Sequence, residues 1–306
     1  MWLRSFFSNC SQEHMITLIK DNLRRIKHRL IGEIHSPRWA ASAPSVKASQ
    51  LLLLMQYRSM IAQGIAPKVA DTGMRVFSGT DDDGILLYIF SAIGFKSRIC
   101  VDIGAGDGIS NNCTNLILNF GFRGLLIDGD QKLVSRGQTF LEKHPDTSLY
   151  PPRFIQAFVT AENCNELVAQ ESISGEIDLL SIDIDGNDFW VWKSLNQVQP
   201  RVVIIETHIE FGKRNMVVPY DPKYCYPGRH PQYHGASPAA MIELGRQKGY
   251  RLVATNNYGF NFVFVKYTED AAALPTLSIE EALSHPRNNE RTALVKEIET
   301  WEYTTA

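Results

Sequence analysis

The chain has 306 residues, 44 % of them apolar and 21 % charged, with a formal net charge of −2. A chain this apolar can bury a substantial core, which excludes disorder over most of its length. The balanced charge argues against a protein held to nucleic acid by phosphate neutralisation, and apolar runs such as Leu51–Met55 are far too short to span a bilayer.

Charge is unevenly spread: residues 1–70 carry net +7 and residues 71–306 net −9. This predicts a basic N-terminal extension on an acidic body. Cysteines stand at 10, 100, 113, 164 and 225 with no CxxC pair, which disfavours a disulfide framework or a structural zinc site. The N-terminus lacks the apolar region and cleavage site of a secretory signal, so the reading is a reduced, cytoplasmic protein.

Apolar residues at 15, 16, 19, 23, 26, 30 and 34 recur at helical spacing. Arg24, Arg25, Lys27 and Arg29 lie between them. Such a helix suits either an anionic surface or packing on protein, including a homo-oligomer formed through the N-terminal helices; its continuous stripe favours protein cover. Residues 36–48 read as a linker and Ser49–Ala62 as a second helix. Thr80, Asp81, Asp82 and Asp83 precede an apolar helix that ends at Gly94. Acidic residues at a helix start complement its dipole, so these three are read as caps rather than as a metal site.

Strands and helices then alternate. The expected strands are Arg98–Ile103, Gly124–Ile127, Phe154–Val159, Ile177–Ile184, Arg201–Glu206, Tyr250–Thr255 and Phe260–Lys266. The expected helices are Cys113–Phe120, Lys132–Lys143, Phe189–Leu195 and Ser237–Gly249. This pattern predicts an α/β fold with a mostly parallel sheet and helices on both faces. The last two strands are joined by only Asn256–Gly259, too short for a crossover, so the final strand is antiparallel. Residues 268–306 are expected to form a helical tail.

The first strand runs into Asp102-Ile-Gly104-Ala-Gly106-Asp107-Gly108. Glycines there allow close backbone approach to a ligand and a sharp turn. The second strand ends at Asp128, where an acid can accept hydrogen bonds from ribose hydroxyls. The pairing favours an adenosine-type ligand over two unrelated turns.

VDIGAGDG, LLIDGD and IDLLSIDIDGND resemble the first, second and fourth-strand motifs of class I S-adenosylmethionine (SAM)-dependent methyltransferases, the last in its FkbM-like form. The likeness spans residues 76–267, leaving 1–75 as a helical basic extension. The FkbM-like signature reads D-x-E-G-x-E; here Asp185 and Asp188 replace both glutamates, beside Asp183 and Gly186. The resemblance implies a Rossmann-like methyltransferase sheet. It also implies that Asp102, Gly104 and Gly106 line the methionine part of SAM, that Asp128 holds the ribose, that Gly129 and Asp130 lie near the adenosine, and that Thr160 borders adenine.

The fourth strand ends at Asp183 and Asp185, the fifth at Glu206 and His208. Parallel neighbours bring such ends together at the binding crevice. Three readings stay open for Asp183, Asp185, Glu206 and His208. They could hold a divalent cation, Mg²⁺ or Mn²⁺, that orients acceptor oxygens. His208 could be a metal-free general base, with Asp183 catalytic in either case. Or the acids cap a helix, as Asp188 does most simply for the following one, and His208 is structural.

Residues 209–236 form a long connection holding Tyr220, Tyr224, Tyr226, Arg229, His230, Tyr233 and His234. With Trp190 and Trp192 they suit a polyhydroxylated ring, or else pack on one another. The expected function is O-methylation of a hydroxyl on a small-molecule or saccharide acceptor. A non-catalytic SAM-binding partner subunit and an RNA methyltransferase are the alternatives; no nucleic acid partner is expected.

Overall fold

The computed structural model describes residues 41–269 and 271–306. The helix expected over residues 15–34 lies outside them. Residues Lys47–Ala306 form one compact unit, so residues 47–75 fall in the same unit as the sheet. The first described helix, α1 (Pro44–Ala62), begins inside the expected linker.

After α2 (Asp82–Ile93) the chain alternates as expected through β1 (Ile99–Ile103), α3 (Thr114–Phe120), β2 (Arg123–Asp128), α4 (Gln131–Lys143) and β3 (Arg153–Gln156). It continues with α5 (Cys164–Gln170), β4 (Gly175–Ile182), α6 (Asp188–Ser194), β5 (Val198–Glu206), α7 (Pro238–Gln247), β6 (Tyr250–Thr255) and β7 (Asn261–Lys266). The short helix α5 has no counterpart in the sequence reading. Its seven residues offer only Cys164 and Val168 to the interior, too few to reveal a period. The tail holds two short α-helices, α8 (Ile279–Ala282) and α9 (Arg287–Arg291), and a 3₁₀ segment, Thr292–Ile298. It then returns as an extended stretch, pairing Thr304 with Val217.

The seven strands form one sheet in the order β3-β2-β1-β4-β5-β7-β6. β1 pairs in parallel with β2 and β4, as do β2 with β3 and β4 with β5; β7 runs antiparallel to both β5 and β6. This is the Rossmann-like, mostly parallel sheet with an antiparallel last strand. Strand order reverses at β1 and β4, and right-handed crossovers put the helices of the two halves on opposite faces. A crevice opens where the order reverses, at the carboxyl ends of β1 and β4. The strands are apolar almost throughout because both faces are covered: β5 from Pro200 to Ile205 is buried at every position.

The three aspartates at the start of α2, Asp81 at the N-cap and Asp82 and Asp83 in the first turn, do not cap it as expected. Asp81 occupies the N-cap position without a side-chain cap bond, and accepts instead from Asn257 N–H. Asp83 accepts from Val76, Phe77 and Ser78 N–H at 2.6–2.7 Å, bracing the preceding loop. Asp82 reaches Thr80 and Asn261. An extended approach with its own free N–H groups out-competed the helix end for these carboxylates.

At the opposite end of the sheet Arg201 is fully buried. Its Nη1 donates to Asp178 Oδ1 and its Nε to Glu269 Oε1, both at 2.7 Å. The guanidinium also donates to the carbonyls of Ile93 and Gly94, tying α2 to the sheet. Removing the cation leaves the fully buried Asp178 charge with only the N–H groups of Lys96 and Arg98. Arg201→Leu should lower the unfolding free energy by about 3–5 kcal/mol, read from the urea midpoint. A loss under about 1 kcal/mol would show that the network contributes little.

Candidate functional site

The chain leaves β1 through three left-handed glycines: Gly104, Gly106 and Gly108 have φ of +86°, +58° and +60°. Gly104 is fixed by more than its φ, since a Cβ there would lie 1.7 Å from the Asp183 carbonyl oxygen. The ends of β1 and β4 therefore nearly touch, and Asp183 N–H donates to Ile103 O at 2.9 Å. Gly106 N–H donates to Asp128 Oδ2, and Asp130 N–H to Asp128 Oδ1, each at 2.8 Å. Asp128 thus sets the glycine loop and the start of α4 as well as facing the crevice.

A cavity of about 530 Å³ fills the crevice. It is lined by Gly104, Gly106, Ile127, Asp128 and Gly129, by Leu133 with Ala157, Phe158 and Val159, by Asp183, Ile184, Asp185 and Asn187, and by Tyr224, Cys225 and Tyr226. Tyr224 is held closely: a Cβ on Gly186 or Gly228 would come within 2.3 or 2.5 Å of its ring.

Of the sequence-predicted cofactor residues, the cavity gathers Gly104, Gly106, Asp128 and Gly129 and leaves out Asp102, Asp130 and Thr160. Asp130 caps α4, accepting from Lys132 and Leu133 N–H. Thr160 is engaged with Asn163 at the approach to α5. Asp102 lies within the sheet at 1 % exposure, and its Oδ2 has no partner. Burial raises the Asp102 carboxyl to about 7, against hydrogen bonds from Ser181 and Cys113 that pull it down.

The predicted carboxylate–histidine cluster forms with a different membership. Asp183, Asp188 and Glu206 each bring a carboxylate oxygen within 4.8 Å of the other two. Asp188, expected as a helix cap, accepts from Ile184 and Gly186 N–H at 2.9 Å and so shapes the turn before α6. Burial raises Asp183 to about 8, with Asp188 and Asp185 adding to it. Burial raises Glu206 well above the usual carboxylate range, with Asp183 next, and raises Asp188 too. Three acids this close repel unless a proton or cation intervenes.

Asp185 lines the cavity but is not one of the three, and it takes a left-handed turn at φ +52°. His208 also stands apart from the trio. Its Nε2 donates to the Gln232 carbonyl at 2.9 Å and its Nδ1 lies 3.2 Å from Glu210 Oε2. Glu210 is in turn paired with Arg291. The imidazole is thus engaged with two residues of the 209–236 connection, and burial lowers its pKa. Asp188 could have been found from its spacing; His208 attracted attention because i+2 on a strand shares a face, but β5 ends at Glu206.

The expected aromatic acceptor surface divides. Tyr224 and Tyr226 border the cavity. Trp192 is core, packed on Phe264 and Tyr250. Trp190 donates to Val218 O and meets Tyr220. Tyr233 packs with Trp301 and Tyr303 of the tail, and Arg229 lies over Trp301.

No family model matches the chain, and no curated protein matches it. Solved structures share a distant likeness. An O-methyltransferase from Bacillus cereus in complex with SAH is 17 % identical over 70 % of this chain and 90 % of its own, at a TM-score of 0.40. Magnesium protoporphyrin IX methyltransferase from Synechocystis PCC 6803 with bound SAM is 12 % identical over 60 % and 77 %, at 0.38. A SAM-dependent methyltransferase from Clostridium acetobutylicum is 10 % identical over 59 % and 89 %, at 0.38. Similarities this distant assign no function, which has to come from the site. Among the described residues no helix is long and apolar enough to cross a membrane, and Cys100, Cys113, Cys164 and Cys225 are free thiols.

The raised Asp102 carboxyl has a stability consequence. Its pKa is about 7 folded against an ordinary 3.8, so its contribution is full below about pH 4 and is lost as pH rises through 7. In chelator-treated protein the melting temperature should fall between about pH 4 and 7, and Asp102→Asn should flatten that fall. Parallel pH profiles for the two proteins would contradict the assignment.

Proposed function

We propose that the protein transfers a methyl group from SAM to a hydroxyl of a small-molecule or saccharide acceptor, with a divalent cation at Asp183, Asp188 and Glu206. The observation that carries this reading is one shared residue. Asp183 borders the cavity lined by the glycine loop and Asp128, and it also belongs to the carboxylate trio. Pocket and acidic centre therefore adjoin. The FkbM-like affiliation is supported by Asp183, Asp185 and Asp188 falling at this junction.

The roles follow from the geometry. Gly104 and Gly106 present bare backbone to the ligand. Asp128 keeps acceptor lone pairs for ribose hydroxyls while bracing Gly106. Tyr224 and Tyr226 border the cavity, and with a ligand bound their rings would help to exclude water. SAM supplies a reactive sulfonium: the O–CH₃ bond forms as S–CH₃ breaks, and the electron pair remains on sulfur. A divalent cation, when bound, would neutralise the crowded carboxylates and lower the pKa of an acceptor hydroxyl. Three hard carboxylate donors, each within 4.8 Å of the other two, fit such an ion. Asp183 touches both the cavity and the trio, so the acceptor's proton passes to its carboxylate. The remaining work is alignment.

Two measurements test this. Calorimetry should show SAM binding that weakens by about 1–3 kcal/mol in Asp128→Ala; unchanged affinity would remove the ribose assignment. An acceptor screen of sugars and hydroxylated ring compounds should yield methyl transfer that EDTA stops, that Mg²⁺ or Mn²⁺ restores, and that Asp183→Asn abolishes. Full turnover after complete metal removal would reject the cation.

A further inference from the structure

An exposed apolar surface has no place in the site described above. In the loop between α4 and β3, Leu149 and Tyr150 are 85 % and 90 % exposed. On α1, Leu51 and Met55 are 45 % and 64 % exposed. Single apolar side chains in water are ordinary, but a group of them on one side of a molecule marks a contact surface.

The two elements are joined at one point. Lys47 Nζ, near the start of α1, donates to Asp146 Oδ1 at 2.7 Å. Lys47, Leu51, Met55 and Arg58 recur at helical spacing and so share one side of α1. The loop that begins at Asp146 therefore adjoins the stripe carrying Leu51 and Met55. Its tip is held firmly. Thr147 is buried and its hydroxyl donates to Leu141 O in α4. Thr147 N–H donates to His144 O at 3.0 Å and Tyr150 N–H to Thr147 O at 3.1 Å. Pro151 and Pro152 fix the backbone directly after it. A tip ordered in advance loses little entropy when it binds.

Charge points to the occupant. Residues 41–70 carry three basic and no acidic side chains, and residues 131–153 carry four basic against two acidic, although residues 71–306 as a whole carry net −9. Arg58 on α1 and Lys143 at the end of α4 are exposed. The apolar group thus sits in the cationic part of an acidic body, which is complementary to an anionic partner. A fluid interface takes Leu149 and Tyr150 without a matching pocket. Tyrosine suits the headgroup level, and Lys and Arg suit the lipid phosphates. We propose that Leu149 and Tyr150, with Leu51 and Met55 beside them, form a docking surface for an anionic lipid bilayer.

The test is flotation of the full chain with two kinds of vesicle, one of phosphatidylcholine and one of phosphatidylcholine mixed equally with phosphatidylglycerol. Wild type should bind the mixed vesicles about tenfold more tightly than the neutral ones, and added salt should weaken that binding. Leu149→Asp combined with Tyr150→Asp should lower the affinity about tenfold at an unchanged melting temperature. Tyr267→Ser, just beyond β7, should leave it unchanged. Should the double variant melt early, Met55→Glu on α1 reads the same surface and should weaken binding severalfold. Wild-type affinity in the folded double variant (or in its Met55 stand-in) overturns the proposal and moves lipid binding to basic residues elsewhere in the chain. Equal binding to both vesicles overturns it by leaving the charge without a role. No binding to either overturns it in favour of an acidic protein partner.

Discussion

Carboxylates crowded out of water cannot all stay ionised, and this constraint organises the carboxyl end of the sheet. Asp183, Asp188 and Glu206 lie within 4.8 Å of one another, with Asp102, Asp185 and Asp82 close enough to add their fields at Asp183. Each carboxyl is pushed toward its neutral form, chiefly by burial. A fold that concentrates charge in this way stores an electrostatic demand. Protons can meet it at low pH, and a cation can meet it at neutral pH.

The sheet's topology puts that demand where a ligand can answer it. Strand order reverses between β1 and β4, so the loops that leave them diverge and a crevice opens. Gly104 permits those two strand ends to meet almost backbone to backbone. The same contact places the glycine loop beside Asp183. Asp128 and Asp188 each spend their carboxylate oxygens on two nearby N–H groups, which fixes the two walls of the crevice from within. At the far end Arg201 does the opposite task, compensating two acids with one guanidinium. One end of the sheet is electrostatically satisfied within the protein, while the other is not.

Much of this was legible in the sequence. Apolar runs alternating with helical periods gave the parallel strands, and the four-residue Asn256–Gly259 join required an antiparallel β7. Gly104, Gly106 and Asp128 were recognisable because glycine spacing and an acid at a strand end have a direct physical meaning. The membership of the acidic centre was less legible. Residue His208 follows β5 at a plausible interval, but the chain turns there into a 3₁₀ segment and Glu210 takes the imidazole. Asp82 looked like a helix cap, because nothing local reveals that Asn261, 179 residues on, takes its side chain. Local patterns determine elements; long-range hydrogen bonds decide which way a polar side chain turns.

The central claim is that one crevice holds both a SAM-type ligand and a divalent cation. Crystals grown with S-adenosylhomocysteine and Mn²⁺, with diffraction recorded at the manganese absorption edge, test it directly. The account predicts ribose density against Asp128 and one anomalous peak among Asp183, Asp188 and Glu206. Ligand density away from the glycine loop, or a manganese peak outside the carboxylate group, would contradict it.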